Sequence, residues 1–203
     1  MLRALPLLLL ALACKTTDVP ARGGPDSAVL GVRVNVTLYQ SHQLTLQPQT
    51  VYFARLPEGE DTLLQTTQLV ESNYRRGALL MLLNAEPGRY AVVCAVTTWE
   101  GRSHFVFVSE KSARESIIEV KPGQYTYMGS LSMKESRSFS KADELQNRSV
   151  GLVKAKPAHP NVWQQLFPRA MEFLGEHGAL SRTPGDAERT EKSMRKTLAR
   201  YGW

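Results

Sequence analysis

From Val32 to Tyr39 apolar and polar residues alternate without a break: Val32, Val34, Val36 and Leu38 take turns with Arg33, Asn35, Thr37 and Tyr39. A period of two fits an extended chain whose side chains point to opposite faces, so this stretch reads as a strand with one buried face. Related signals recur down the chain. Val51–Leu56 is rich in β-formers and stops at the turn Pro57-Glu58-Gly59-Glu60. Thr62–Val70 is a weaker strand candidate, with Thr, Leu and Val mixed among Gln. Ala78–Leu83 is continuously apolar, and its shortness and the turn residues Asn84–Gly88 after it favour strand over helix. Arg89–Thr98 is a Val-rich strand, Trp99–Ser103 a hairpin loop, and His104–Val108 the returning strand. Ser116–Val120 then leads through Lys121-Pro122-Gly123 into Gln124–Met133.

Short strands at close spacing, with little helical periodicity between them, predict a mainly β fold: an antiparallel β-sandwich of about 7–8 strands with a C-terminal helical appendage. The composition agrees. Hydrophobic residues at 42% and charged residues at 22% are globular values, which exclude a collagen, a rod or a wholly disordered chain. Two cysteines exclude a disulfide-dense scaffold and a multi-cysteine zinc site.

Pro87-Gly88 and Pro122-Gly123 are each followed by one residue and a tyrosine, Tyr90 and Tyr125. Proline presets the second turn position and glycine accepts positive φ at the third, so each reverses the chain into a strand. With Val51–Arg55, Leu80–Tyr90 and Ile118–Gly129, these turns give residues 29–135 a resemblance to a group of uncharacterised bacterial lipoproteins. The folded part of that group is similar to the transthyretin-like or carboxypeptidase-regulatory-like β-sandwich. The resemblance implies a fold and an envelope address, and it brings no catalytic or ligand residue with it.

The N-terminus points the same way. Arg3 precedes the apolar run Ala4–Ala13, and Cys14 stands where that run ends. One basic residue, an apolar stretch of about ten and small residues before a cut make a secretory signal peptide over residues 1–13. The run is too short to span a bilayer, which takes roughly 20 apolar residues. Ala11-Leu12-Ala13-Cys14 resembles a bacterial lipobox, with Ala11 where Leu is most usual. That resemblance implies a diacylglycerol thioether on Cys14, as the mature first residue, and acylation with fatty acids such as palmitate. Lys15 after the cysteine favours the outer membrane by resemblance to enterobacterial sorting. Loss of Arg3 leaves a modestly basic mature chain, and nucleic acid is not an expected partner of an exported one.

Residues 14–28 hold the lipidated cysteine and a Pro-, Gly- and Ser-containing tether. The sandwich occupies 29–135, a polar linker 136–157, and a helical region 158–203. Trp163, Leu166, Phe167, Ala170, Met171 and Leu174 recur at helical spacing, with Pro168 interrupting them. Thr183-Pro184-Gly185-Asp186 reads as a helix start, with the helix running to about Arg200. Glu188–Lys192 and Glu191–Arg195 are i,i+4 pairs, and Met194, Leu198 and Tyr201 form a thin apolar stripe. The bases of this segment, together with Arg75 and Arg76, either touch anionic headgroups or a partner, or lie on a solvated face whose stripe packs on the domain; the latter is favoured.

Nothing in the sequence spells out catalysis. His42, His104, His159 and His177 lie in no metal-binding spacing, and there is no GxSxG elbow or phosphate loop. Glu58, Glu60 and Asp61 cluster on a turn as a solvated acidic loop. If Cys14 carries lipid, Cys94, in the apolar run Ala91–Val96, has no disulfide partner and reads as a buried thiol. The expectation is therefore a membrane-anchored envelope lipoprotein without catalytic, cofactor or metal residues, lipidated at Cys14. It would act in structure or in binding an envelope protein. The alternative is a sandwich binding a small apolar ligand in a pocket lined by Phe53, Tyr90, Phe105 or Tyr127; a cryptic hydrolase or enzyme accessory ranks below both.

Overall fold

The alternating stretch is strand β1 (Ala28–Tyr39), the central strand of one of two sheets. The computed structural model describes residues 18–39, 43–57, 68–99, 102–135 and 178–203. In sheet I, β1 pairs along one edge with β10 (Tyr125–Glu135), and β11 (Gly178–Ser181) lies beyond it. The other edge of β1 pairs with β6 (Leu79–Ala85) and, farther along, with β2 (Gln43–Leu46). Strand β5 (Tyr74–Arg76) closes that side. Sheet II is centred on β7 (Gly88–Trp99). One edge of β7 pairs with β3 (Thr50–Leu56), which pairs with β4 (Gln68–Glu71). Its other edge carries β8 (Arg102–Phe107) and β9 (Ile118–Val120) end to end, with the short helix α1 (Glu110–Glu115) between them.

The eight strand signals of the sequence all fall on observed strands, β1, β3, β4 and β6–β10; of the span predicted for β4, residues 62–67 lie outside the described residues. Strands β2, β5 and β11, and helix α1, are additions. One pairing departs from the antiparallel rule: β1 and β10 run parallel, from Val29 opposite Tyr125 to Leu38 opposite Glu135. A parallel pair needs a long crossover, and here the whole of sheet II lies between the two strands in sequence. Alternation reports which face is buried and is silent on strand direction.

The main core lies between the sheets. Leu30, Val32, Val34 and Val36 of β1 are fully buried in it, with Leu80 and Leu82 of β6. On β10 the inward set changes parity, from Met128 to Leu131 and Met133. A bulge opposite Gly31–Arg33 makes the change, at Gly129 with φ +132°. The extra residue keeps apolar side chains on the core side along the whole strand. In sheet II every residue of β7 from Tyr90 to Thr97 is buried, Cys94 included. The Ser116 hydroxyl accepts from the Val92 amide at 2.9 Å and donates to the Ala113 carbonyl at 2.7 Å, tying the end of α1 to β7.

The far face of sheet I is also covered. Helix α2 (Pro184–Leu198) packs Ala187, Met194 and Leu198 against Val29, Leu79, Met81, Leu83 and Tyr127. Thr183 caps it as the sequence predicts, its hydroxyl accepting from the Asp186 amide at 3.2 Å, with Pro184 in the first turn. A 3-10 turn (Ala199–Tyr201) finishes it. The sequence-derived stripe is thus two-thirds interior: Met194 and Leu198 are buried, while Tyr201 is exposed. The described part of the region expected as helical, 158–203, also supplies a strand, β11, which extends sheet I before α2 begins. Of the tether and linker, 14–17 and 136–157 lie outside the described residues, as does the signal peptide.

Candidate functional site

Asn84 stands near the end of β6 in left-handed backbone, φ +59°, a conformation in which Asn is among the better tolerated side chains. Its amide is turned onto the N-terminal segment. Nδ2 donates to the Ala21 carbonyl at 2.9 Å, and Oδ1 accepts from the Gly23 amide at 2.7 Å. The Trp203 indole Nε1 donates to the Pro20 carbonyl at 2.9 Å, and the Trp203 amide donates to the Leu198 carbonyl at 3.3 Å. Val19 packs against the cluster beneath α2. Farther on, the Asp26 carbonyl accepts from the Gly123 amide at 2.9 Å. There φ of +66° lets glycine take the third position of the predicted Pro122-Gly123 turn. The expected tether therefore has no regular structure in its described part, Asp18–Ser27, yet lies bonded along the body. Cys14 lies outside the described residues. Chain geometry alone keeps it within about 14 Å of Asp18.

Helix α2 crosses sheet I from β10 toward β5. Glu191 Oε1 accepts from the Tyr127 amide at 2.9 Å, Met194 lies over Gly31, and an Arg76 guanidinium nitrogen donates to the Thr197 hydroxyl. Along the flank nearest Arg76 two adjoining clefts of about 290 and 180 Å³ open to solvent. Arg33, Arg76, Lys196 and Arg200 line them with Ser193 and Thr197, over a floor of Leu79, Met81 and Met194 in the smaller one. Among the described residues no carboxylate lines either cleft.

Two of the three acids of α2, Asp186 and Glu191, are engaged elsewhere. Asp186 accepts from the Thr183 hydroxyl at 2.9 Å and from Arg189 at 2.6 Å, and these bonds hold its carboxyl below the usual range. Glu191 is committed to β10, and the Arg195 guanidinium lies 4.7 Å from the Tyr125 ring centroid. Glu191 and Arg195 thus turn to β10 and not to each other, and neither predicted i,i+4 pair is among the ion pairs seen in the described residues, which include Arg55–Glu86, Arg114–Glu110 and Arg189–Asp186. Arg33 sits 5.6 Å from the Tyr127 ring centroid.

Of the residues named for an apolar pocket, Phe53 and Tyr90 are buried in the main core and Phe105 packs at its margin. Tyr127 is buried on the opposite face of sheet I, its hydroxyl 2.8 Å from that of Ser130. They do not line a common cavity. His104 falls on β8. Glu58, Glu60, Asp61, His42, His159, His177, Trp163 and Phe167 lie outside the described residues. Arg75 and Arg76, read as preceding a strand, are on β5. Sequence reasoning singled out the basic residues of α2 but not Arg33 or the Ser193 and Thr197 hydroxyls. Arg33 occupies a polar phase of the β1 alternation, which marks an outward face without telling that a helix lies along it.

Comparison with protein-family models, curated proteins and solved structures finds no match to this chain.

Proposed function

We propose that the chain is a lipid-anchored protein of the bacterial cell envelope, acylated at Cys14 and acting without catalysis as a structural or protein-binding module, at the outer membrane. The observation that carries this reading is Cys14 itself, placed directly after a basic residue and an apolar run ending in Ala-Leu-Ala. The acyl chains fix location, since each buried CH₂ contributes about 0.8 kcal/mol and more than one chain makes the attachment durable. The bonded segment Val19–Gly23 is consistent with an anchor a few residues upstream, because it transmits attachment to a body packed on both faces of sheet I. The sandwich then presents its loops and edge strands to an envelope partner.

Growth with a fatty-acid analogue tests the anchor. The wild-type chain is expected to take up label and fractionate with membranes; the Cys14→Ala chain should do neither. An unmodified Cys14 thiol in exported wild-type protein overturns the reading. Crosslinking in cells, followed by capture, tests the role, and failure to recover a stable envelope partner counts against it.

A further inference from the structure

We infer that the two basic clefts beside α2 hold the phosphate of anionic phospholipid headgroups, so that the protein lies with its helical face on the membrane to which it is tethered. This rests on the lipid-anchor reading.

The first argument is electrostatic. Lysine and arginine near a helix C-terminus are ordinarily explained by the carbonyl end of the macrodipole, which accounts for Lys196 and Arg200. It does not account for Arg76, which reaches both clefts from β5, or for Arg33, which reaches the smaller one from β1. Arg76 meets Lys196 and Arg200 in the larger cleft and Arg33 in the smaller, and no described carboxylate lines either; Asp186, which also feels Arg33, is bonded to Thr183 and Arg189, and Glu191 to β10. Two guanidinium groups suit the oxygens of a phosphate, and the hydroxyls of Ser193 and Thr197 add donors. The Thr197 oxygen takes up the Arg76 donor, which leaves its own proton for an incoming oxyanion.

The second argument is reach. The described chain begins beside the last turn of α2, where Trp203 bonds both Pro20 and Leu198. Lys196, Thr197 and Arg200 belong to the same end of the helix. With Cys14 no more than about 14 Å beyond Asp18, an acylated residue 14 cannot stand the body far off the bilayer. The α2 face is the one nearest the anchor, and at physiological ionic strength only charges within about 8 Å of the headgroups are felt.

The test uses the mature chain, residues 14–203, with Cys14→Ala to remove the acyl contribution. Vesicles of phosphatidylcholine alone are compared with vesicles containing about 30 mol % phosphatidylglycerol. Binding is expected only to the latter, and it should weaken with salt. Arg76→Gln with Lys196→Gln should reduce it about 25-fold, at roughly fivefold per cation. Lys111→Gln with Lys121→Gln, which removes equal charge from exposed positions that line neither cleft, should change it less than twofold. Arg76→Lys with Lys196→Arg should retain it, which separates charge from any damage to the fold. Equal losses in the two charge-removing variants overturn the site in favour of net charge alone. Saturation of the clefts by inorganic phosphate, without binding to the anionic vesicles, overturns the lipid as its source. Absence of label on Cys14 with vesicle binding intact would sink the anchor and leave the cleft standing.

Discussion

The indole of Trp203 donates to the carbonyl of Pro20, 183 positions away, and so clamps the N-terminal segment against the end of α2. Asn84 grips the same segment one and three residues farther on, at Ala21 and Gly23.

Asn84 thus serves two ends: a backbone turn and a latch. Asn84→Gly keeps the left-handed turn and removes both side-chain bonds. It should cost about 1–2 kcal/mol in chemical denaturation and unprotect the Gly23 amide in hydrogen exchange. Asn84→Val should cost more, because a β-branched residue resists positive φ.

Two glycines without space for a side chain should respond differently. A Cβ on Gly31 would meet Met194 Sδ at 2.6 Å, and methionine yields. Gly31→Ala should cost about 1–3 kcal/mol, and a double-mutant cycle with Met194→Ala should recover part of it. At Gly129 the obstacle is the Ser181 carbonyl at 2.8 Å, in backbone with φ +132°. Gly129→Ala should cost more than about 3 kcal/mol and expose the amides of β11.

Asp186 gives α2 an acid limb. Its carboxyl is held below the ordinary value by the Thr183 hydroxyl first and Arg189 second, so the folded state binds the proton more weakly than the unfolded chain. Its contribution should be present above about pH 4 and vanish as pH falls through the lowered value. Thermal melts of wild type and Asp186→Asn should therefore differ at neutral pH and converge in acid.

Tyr52 gives the opposite limb. Burial, and then the Glu71 carboxylate that accepts a hydrogen bond from its hydroxyl at 3.0 Å, push its ionisation upward. The neutral phenol is the folded form, so its stabilisation holds below about pH 10 and is lost as pH rises beyond it. Tyr52→Phe should flatten the alkaline fall in stability, measured by urea midpoint against pH.

Cys94, 1% exposed between two paired strands, should resist thiol reagents in the native protein. Its alkylation rate should follow the unfolding equilibrium in urea.

Much of the fold was legible because its signals are local. The β1 alternation, the apolar runs that became β6 and β7, and the Thr183-Pro184 helix start each depend on a few adjacent residues. What the sequence hid is set by distant partners. Tyr74–Arg76 and Gly178–Ser181 have no pattern of their own and become strands because Leu79–Met81 and Ser130–Met133 offer free edges. Residues 28–31 are buried on both faces because α2 lies over one of them. Glu191 and Arg195 have the spacing of a helix pair and were diverted by Tyr127 and Tyr125. The basic clefts were half visible, in the cations of α2, and half hidden, in Arg33, whose approach depends on that helix crossing the sheet.

The side-by-side alignment of β1 with β10 also sets a timetable. During synthesis the central strand of sheet I waits for a neighbour made some ninety residues later. Until then one border of that strand is bare and sticky, so maturation should be slow and late, with β1 and α2 amides gaining protection in a single concerted step of refolding.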